Sequence, residues 1–169
     1  MSNIKRKSGY TLVETVIYIA MLTIVYFLII STLLSFKNSY RNILALRLVD
    51  NSAIDSMERM SRDIRWSTTV DTNNSILDTT PGALTIVSTS NGISTTTKFY
   101  LQNNIIKIDI NGVYYGPLTI SNASVTSLIF RKMDSGISTA VKVDMMISGT
   151  SGQVTKTKSY HTTILMKSI

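Results

Sequence analysis

The sequence predicts an α+β fold, in which one long N-terminal α-helix packs on a C-terminal antiparallel β-sheet domain. Three observations carry that expectation. Between Tyr10 and Thr80 there is neither Gly nor Pro, the two residues that most often break helices. The same interval is uncharged from Thr15 to Phe36 and then turns amphipathic. From Ala83 onward the pattern becomes that of strands, rich in Val, Ile, Thr and Tyr and punctuated by Asn-Gly and Asn-Asn pairs.

The helix begins at an unusual junction. Lys5-Arg6-Lys7 precede Ser8-Gly9-Tyr10-Thr11-Leu12-Val13-Glu14, and Val16 to Phe36 then supplies 21 mostly apolar residues. A spanning helix needs about 20 at 1.5 Å each, so the segment is long enough to cross a bilayer. It is also longer than the roughly 7 to 15 apolar residues of a cleaved secretory signal. An ordinary signal anchor has no use for Glu14, a carboxylate two residues ahead of the apolar run.

Basic residues, Gly, an aromatic, Thr-Leu-Val-Glu and a long apolar helix, in that register, resemble the cleavage and methylation signature of type IV pilins and the pseudopilins of type II secretion and DNA-uptake machines. The resemblance covers about ten residues. It implies a leader of residues 1–9 with basic Lys5, Arg6 and Lys7, cleavage between Gly9 and Tyr10 by a prepilin peptidase, and N-methylation of Tyr10 by the same enzyme. Tyr10 stands where that family usually has Phe. Glu14, fifth in the mature chain, is then the residue that guides assembly. Other pilins or pseudopilins, the cytoplasmic (inner) membrane and an assembly platform protein are the implied partners. The implied location is a single pass with the N-terminus cytoplasmic and the domain outside, followed by an extracytoplasmic filament. Charge alone leaves the orientation open, because Lys37, Arg41 and Arg47 balance the basic leader.

Residues 10–36 form the transmembrane or filament-core helix in this reading, and residues 37–66 continue it as an amphipathic helix. Ile43, Leu46, Val49, Ala53, Met57, Met60 and Ile64 recur at spacings of three and four, one stripe on a 3.6-residue period. That stripe is expected to face the sheet. Asp55/Arg59 and Glu58/Arg62 stand at the i,i+4 spacing of helix ion pairs. A helix from Tyr10 to about Trp66 would be roughly 85 Å long. One class of major pilins carries a mid-helix Pro where this chain has Ser31, so a straighter helix is expected.

Residues 67–169 form the β-rich extracytoplasmic domain. Residues from Ser67 to Gly82 read as a polar loop. The expected strands are Ala83–Thr89, Thr95–Gln102, Ile105–Ile110, Val113–Ile120, Val125–Lys132, Thr139–Ser148 and Val154–Lys167. Turns are expected at Asn91-Gly92, Asn103-Asn104, Asn111-Gly112, Asp134-Ser135-Gly136 and Gly149 to Gly152. Two-residue Asn-Gly and Asn-Asn loops favour tight hairpins.

Nothing in the sequence points to catalysis, to a metal or to a cofactor. The only histidine, His161, lies in a strand pattern that puts it on one face with Ser159 and Thr163, read here as the solvent face. There is no cysteine, which excludes a disulfide framework, a thiolate metal site and a cysteine nucleophile. Asp71-Thr72-Asn73-Asn74-Ser75 superficially offers alternating oxygens, but Ile76 and Gly82 fall where a calcium loop requires Gly and Glu. The net charge is +7, and removing the three leader charges leaves +4. Lys98, Lys107, Arg131, Lys132, Lys142, Lys156 and Lys158 are dispersed over five strands, which reads as a solvated sheet face and not as a nucleic-acid track.

The expectation is therefore a structural subunit and not an enzyme: a minor pilin or pseudopilin of a type IV pilus-like or type II secretion filament. Within the family the nine-residue leader, the absence of cysteine and a long helix ending near Arg62-Asp63-Ile64-Arg65 look most like J-type pseudopilins and W-type minor pilins. The alternative is a competence-type subunit whose domain contacts DNA or a surface.

Overall fold

The computed structural model describes residues 11–136 and 138–167. The chain divides into two compact units, Met1–Tyr40 and Arg41–Ile169. Helix α1 (Leu12–Trp66) is continuous over 55 residues, as the absence of Gly and Pro predicts. The strands follow as β1 (Thr69–Val70), β2 (Ala83–Ser90), β3 (Ile93–Gln102), β4 (Ile105–Ile110), β5 (Val113–Pro117), β6 (Ala123–Asp134), β7 (Thr139–Ser151) and β8 (Val154–Leu165). The fold is α+β.

The sheet is divided in two, a five-stranded sheet ordered β1-β2-β3-β4-β5 and a three-stranded sheet ordered β6-β7-β8, every neighbouring pair antiparallel. The hairpin turns are the ones the Asn pairs require. Asn91-Gly92, Asn103-Asn104 and Asn111-Gly112 all have positive φ at both central positions, the mirror-image turn whose twist matches that of the strands it joins. The two sheets meet along β6, whose outer edge is occupied by backbone bonds: Asp78 N to Phe130 O, Gly82 N to Leu128 O and Val125 N to Asn104 O, at 2.9, 2.9 and 2.8 Å.

One core fills the Arg41–Ile169 unit. Val49, Ala53, Met60 and Ile64 of the helix meet Leu84, Ile86, Phe99, Ile106 and Ile108 of the first sheet, and Val125, Leu128, Phe130, Val141, Val143 and Ile147 of the second. In β6 the inward parity changes from Ala123 and Val125 to Leu128 and Phe130 because the register shifts between Val125 and Ser127. This bulge adds a residue and keeps four apolar side chains on one face.

The buried helix face differs from the expected stripe. Ala45, Val49, Ser52, Ala53, Ser56, Met60 and Ile64 are buried, whereas Ile43 is exposed and Leu46 and Met57 are half-buried. Small side chains lie where the sheet comes close. A Cβ on Gly149 would stand 2.8 Å from Val49 Cγ2 and 2.9 Å from the Ala45 carbonyl oxygen. Gly149 thus belongs to strand β7 and not to a turn, and the break falls at Gly152, with φ +63°. Gly149→Ala should destabilise the unit by about 1–3 kcal/mol, the usual range for overpacking. An unchanged melting temperature would show that helix and strand have room to separate.

Other boundaries shift by a few residues. Strand β5 stops at Pro117, three residues short of the expected Ile120, and Pro117 has no N–H to offer a ladder. The loop expected from Ser67 to Gly82 contains the two-residue strand β1 and an Ile76–Ala83 bridge. The helix ion pair is Arg59 Nε to Asp63 at 2.8 Å. Arg59 therefore points forward to Asp63 and not back to Asp55, and Glu58/Arg62 forms no ion pair among the described residues.

Asp50 ties the helix to β8 by accepting bonds from Lys158 Nζ at 2.8 Å and from the Tyr160 hydroxyl. The Lys158 bond, and after it the Tyr160 bond, hold the Asp50 carboxyl below the usual carboxylate range. Burial, reinforced by the bond to Asp50, pushes the Tyr160 hydroxyl upward.

Candidate functional site

The apolar segment is built so that its surface is side chain alone. Within the helix the backbone groups bond to one another, and the few hydroxyls fold back onto it. Thr23 Oγ1 donates to the Ile19 carbonyl at 2.7 Å, Ser31 Oγ to Leu28 at 2.9 Å and Thr32 Oγ1 to Leu28 at 2.8 Å. Such bonds satisfy donors that a hydrocarbon environment would leave orphaned. Every residue from Thr15 to Phe36 is exposed, including Leu22, Phe27 and Phe36 at 71 to 75%. Exposed apolar surface on this scale marks an interaction or membrane site. Among the described residues, this is the one helix long and apolar enough to cross a membrane.

Glu14 is half-buried in this otherwise exposed segment. Its backbone N–H donates to Thr11 Oγ1 at 3.3 Å, and its carboxylate accepts the Tyr18 hydroxyl at 3.2 Å, one turn ahead. Thr11 is thus the N-cap and Glu14 the third helical residue, the spacing of a capping box. A carboxylate there also complements the positive end of the helix dipole, worth about 0.3–1 kcal/mol at a surface. The capping role was legible as Thr-x-x-Glu ahead of an apolar run, a pattern that the assembly reading of Glu14 left unused. Gly9, Tyr10 and the basic residues Lys5, Arg6 and Lys7 lie outside the described residues.

The remaining candidates fall apart as sites. His161 is exposed on β8 together with Ser159 and Thr163. Asp71 closes a turn of its own: its carboxylate accepts the backbone N–H groups of Asn73 and Asn74 at 3.1 and 3.3 Å and the Asn74 side-chain amide at 2.7 Å. The Asn74 amide is the main cause of its lowered pKa. The described residues bring no group of three acidic, His or Cys side chains together around a cation position.

The basic residues do not converge either. Arg131 pairs with Asp144 and Asp78, Lys132 with Asp134, Lys142 with Asp144 and Lys158 with Asp50. Lys107 Nζ donates to the Gln102 side chain at 2.9 Å and sits 5.5 Å from the Tyr114 ring centroid. Four of the seven dispersed cations are thus neutralised locally.

No model of a known protein family, no curated protein and no solved structure matches this chain.

Proposed function

We propose that this chain is a structural subunit, a minor pilin or pseudopilin, of a type IV pilus-like or type II secretion filament. It is inserted in the cytoplasmic membrane through residues 10–36, cleaved and N-methylated at the Gly9–Tyr10 junction by a prepilin peptidase, and polymerised through its N-terminal helix. The observation that carries the reading is the helix Leu12–Trp66 itself. Its first half is sheathed in exposed apolar side chains with one carboxylate, Glu14, in its first turn, and its second half is buried from Ala45 onward against antiparallel sheets. A soluble domain has no use for that much exposed apolar surface, whereas lipid before assembly and neighbouring helices after it would both cover it.

A DNA-contacting subunit is the less favoured reading. Phosphate neutralisation needs free, clustered cations, and most of the domain's lysines and arginines on the strands already face carboxylates.

Cleavage is the direct test. The mature chain should begin at Tyr10 with an added methyl group and lack the nine leader residues. Intact-mass measurement of the protein extracted from membranes containing the peptidase reads this, and a chain still beginning at Met1 would sink the proposal.

A further inference from the structure

Trp66 is the only tryptophan in the chain, and at the C-terminal end of α1 this residue is 63% exposed. Two clefts of about 610 and 620 Å3 flank it, within the roughly 300–1,000 Å3 range of small-ligand sites. Both are lined by Trp66 and by Lys167, whose ammonium sits 5.3 Å from the ring centroid. The Lys167 backbone N–H donates to the Arg65 carbonyl at 3.1 Å, which fixes this residue beside the helix end.

The chemistry of the walls is specific. On β2 the inward row runs Leu84, Ile86, Ser88, Ser90, the first two buried, the third half-buried and the last exposed. The change to serine falls where the helix ends, since the chain leaves it at Ser67 and pairs Thr69 with Val87. Beyond that point no helix covers the row, and hydroxyls replace Leu and Ile. Thr68 and Thr89 line the same cleft, and Thr163 and Arg65 line the other. The Ser88 and Ser90 hydroxyls make no hydrogen bond among the described residues, so their donors and acceptors are available. Among the described residues no carboxylate side chain lines either cleft.

An exposed indole, hydroxyls without internal partners and a cation shared by both clefts suit a ligand with an apolar ring face, many hydroxyls and an acid group. We propose that the Trp66–Lys167 ridge binds an anionic saccharide. One sugar ring lies against the indole, its hydroxyls bond to Ser88 and Ser90, and its carboxylate or phosphate pairs with Lys167. Single-stranded nucleic acid fits less well, because it needs successive stacking platforms along a basic groove, and here there is one.

The only indole in the protein reports directly on this site. Full-length chain in a sugar-free detergent would be titrated with a tetrasaccharide of alternating glucuronate and N-acetylglucosamine, with neutral chitotetraose and with oligothymidylate, following Trp66 emission. The expected result is a saturable change with the anionic tetrasaccharide and affinity at least about tenfold weaker for chitotetraose, a difference of about 1.4 kcal/mol. Lys167→Gln should bring the two sugars to equal affinity, and Trp66→Ala should abolish binding measured by calorimetry. Both positions are exposed, and thermal melts would check that the variants keep the fold. No saturable change with either sugar, equal affinities in the parent chain, undiminished binding by Trp66→Ala or tighter binding of oligothymidylate would overturn the proposal.

Discussion

Met60→Asp should leave residues 41–169 without a stable fold, while Met60→Leu stays within about 1.5 kcal/mol of the parent. Met60 is fully buried, in a cluster that contains the helix residues Val49, Ala53 and Ile64 and side chains of both sheets. Deleting a buried Met side chain to Ala costs about 2–5 kcal/mol. An aspartate adds a carboxylate that must stay ionised in an apolar pocket or take up a proton, at a further cost of several kcal/mol. Total stabilities of single domains are only about 5–15 kcal/mol, so the sum exhausts the margin. Circular dichroism melts and limited proteolysis of the full chain in detergent would show it. A Met60→Asp protein that resists protease like the parent would mean that the helix presents another face to the sheets.

Met57 makes the comparison informative. The 3.6-residue stripe read from large apolar residues assigns Met57 and Met60 equal weight, yet Met57 is half-buried and packs at the edge of the core. Apolar periodicity finds large side chains. At Ala45, Ser52 and Ser56 the helix instead carries small ones, and at Ala45 the reason is visible, because β7 approaches the helix backbone there at Gly149 and leaves no space for more. At Ser56 the neighbour is the chain after β5: its hydroxyl donates to the Ser52 carbonyl at 2.7 Å and lies 3.0 Å from the Leu118 carbonyl. A face chosen for closeness is hard to see without its partner. Gly149 was the available clue, and as one of two glycines in Ser148-Gly149-Thr150-Ser151-Gly152 it reads first as a turn.

The hairpins were more legible than the sheet. Asn-Gly and Asn-Asn pairs encode a local conformation with positive φ, so Asn91-Gly92, Asn103-Asn104 and Asn111-Gly112 each fixed a register from four residues. The division into two sheets depends on non-local bonds instead, namely β6 held at its edge by Asp78, Gly82 and Asn104. No local pattern encodes those. At the helix start the opposite occurred: the motif was plain, but Glu14 also has a local duty, as acceptor for Tyr18 in the first turn of the helix, that competes with the assembly role as an explanation for its presence.

Substitution at Glu14 can separate these explanations. A carboxylate in a spanning segment costs roughly 2.5 to 3.5 kcal/mol on insertion scales. The bonds it makes within its own helix offset only part of that: a surface dipole interaction of about 0.3–1 kcal/mol and one hydroxyl donor. A nearby cation would offset the rest, and in the proposed filament the amine of Tyr10 freed by cleavage is such a cation, on the same chain or on the next subunit. Glu14→Gln keeps an acceptor for Tyr18 and the length of the side chain but carries no charge. Glu14→Leu removes both. If the charge is what assembly uses, the two variants should insert and be cleaved like the parent, and both should fall by about tenfold or more in the filament fraction, since close interfacial charge pairs couple by about 1.5 kcal/mol or more. Glu14→Asp, with the charge kept and the reach shortened, should lie between. If the local bond to Tyr18 is what matters, Glu14→Gln should assemble like the parent and only Glu14→Leu should fail. Quantifying each variant in sheared filaments against total membrane protein distinguishes the two, and parental levels of Glu14→Leu would show that the carboxylate serves neither purpose.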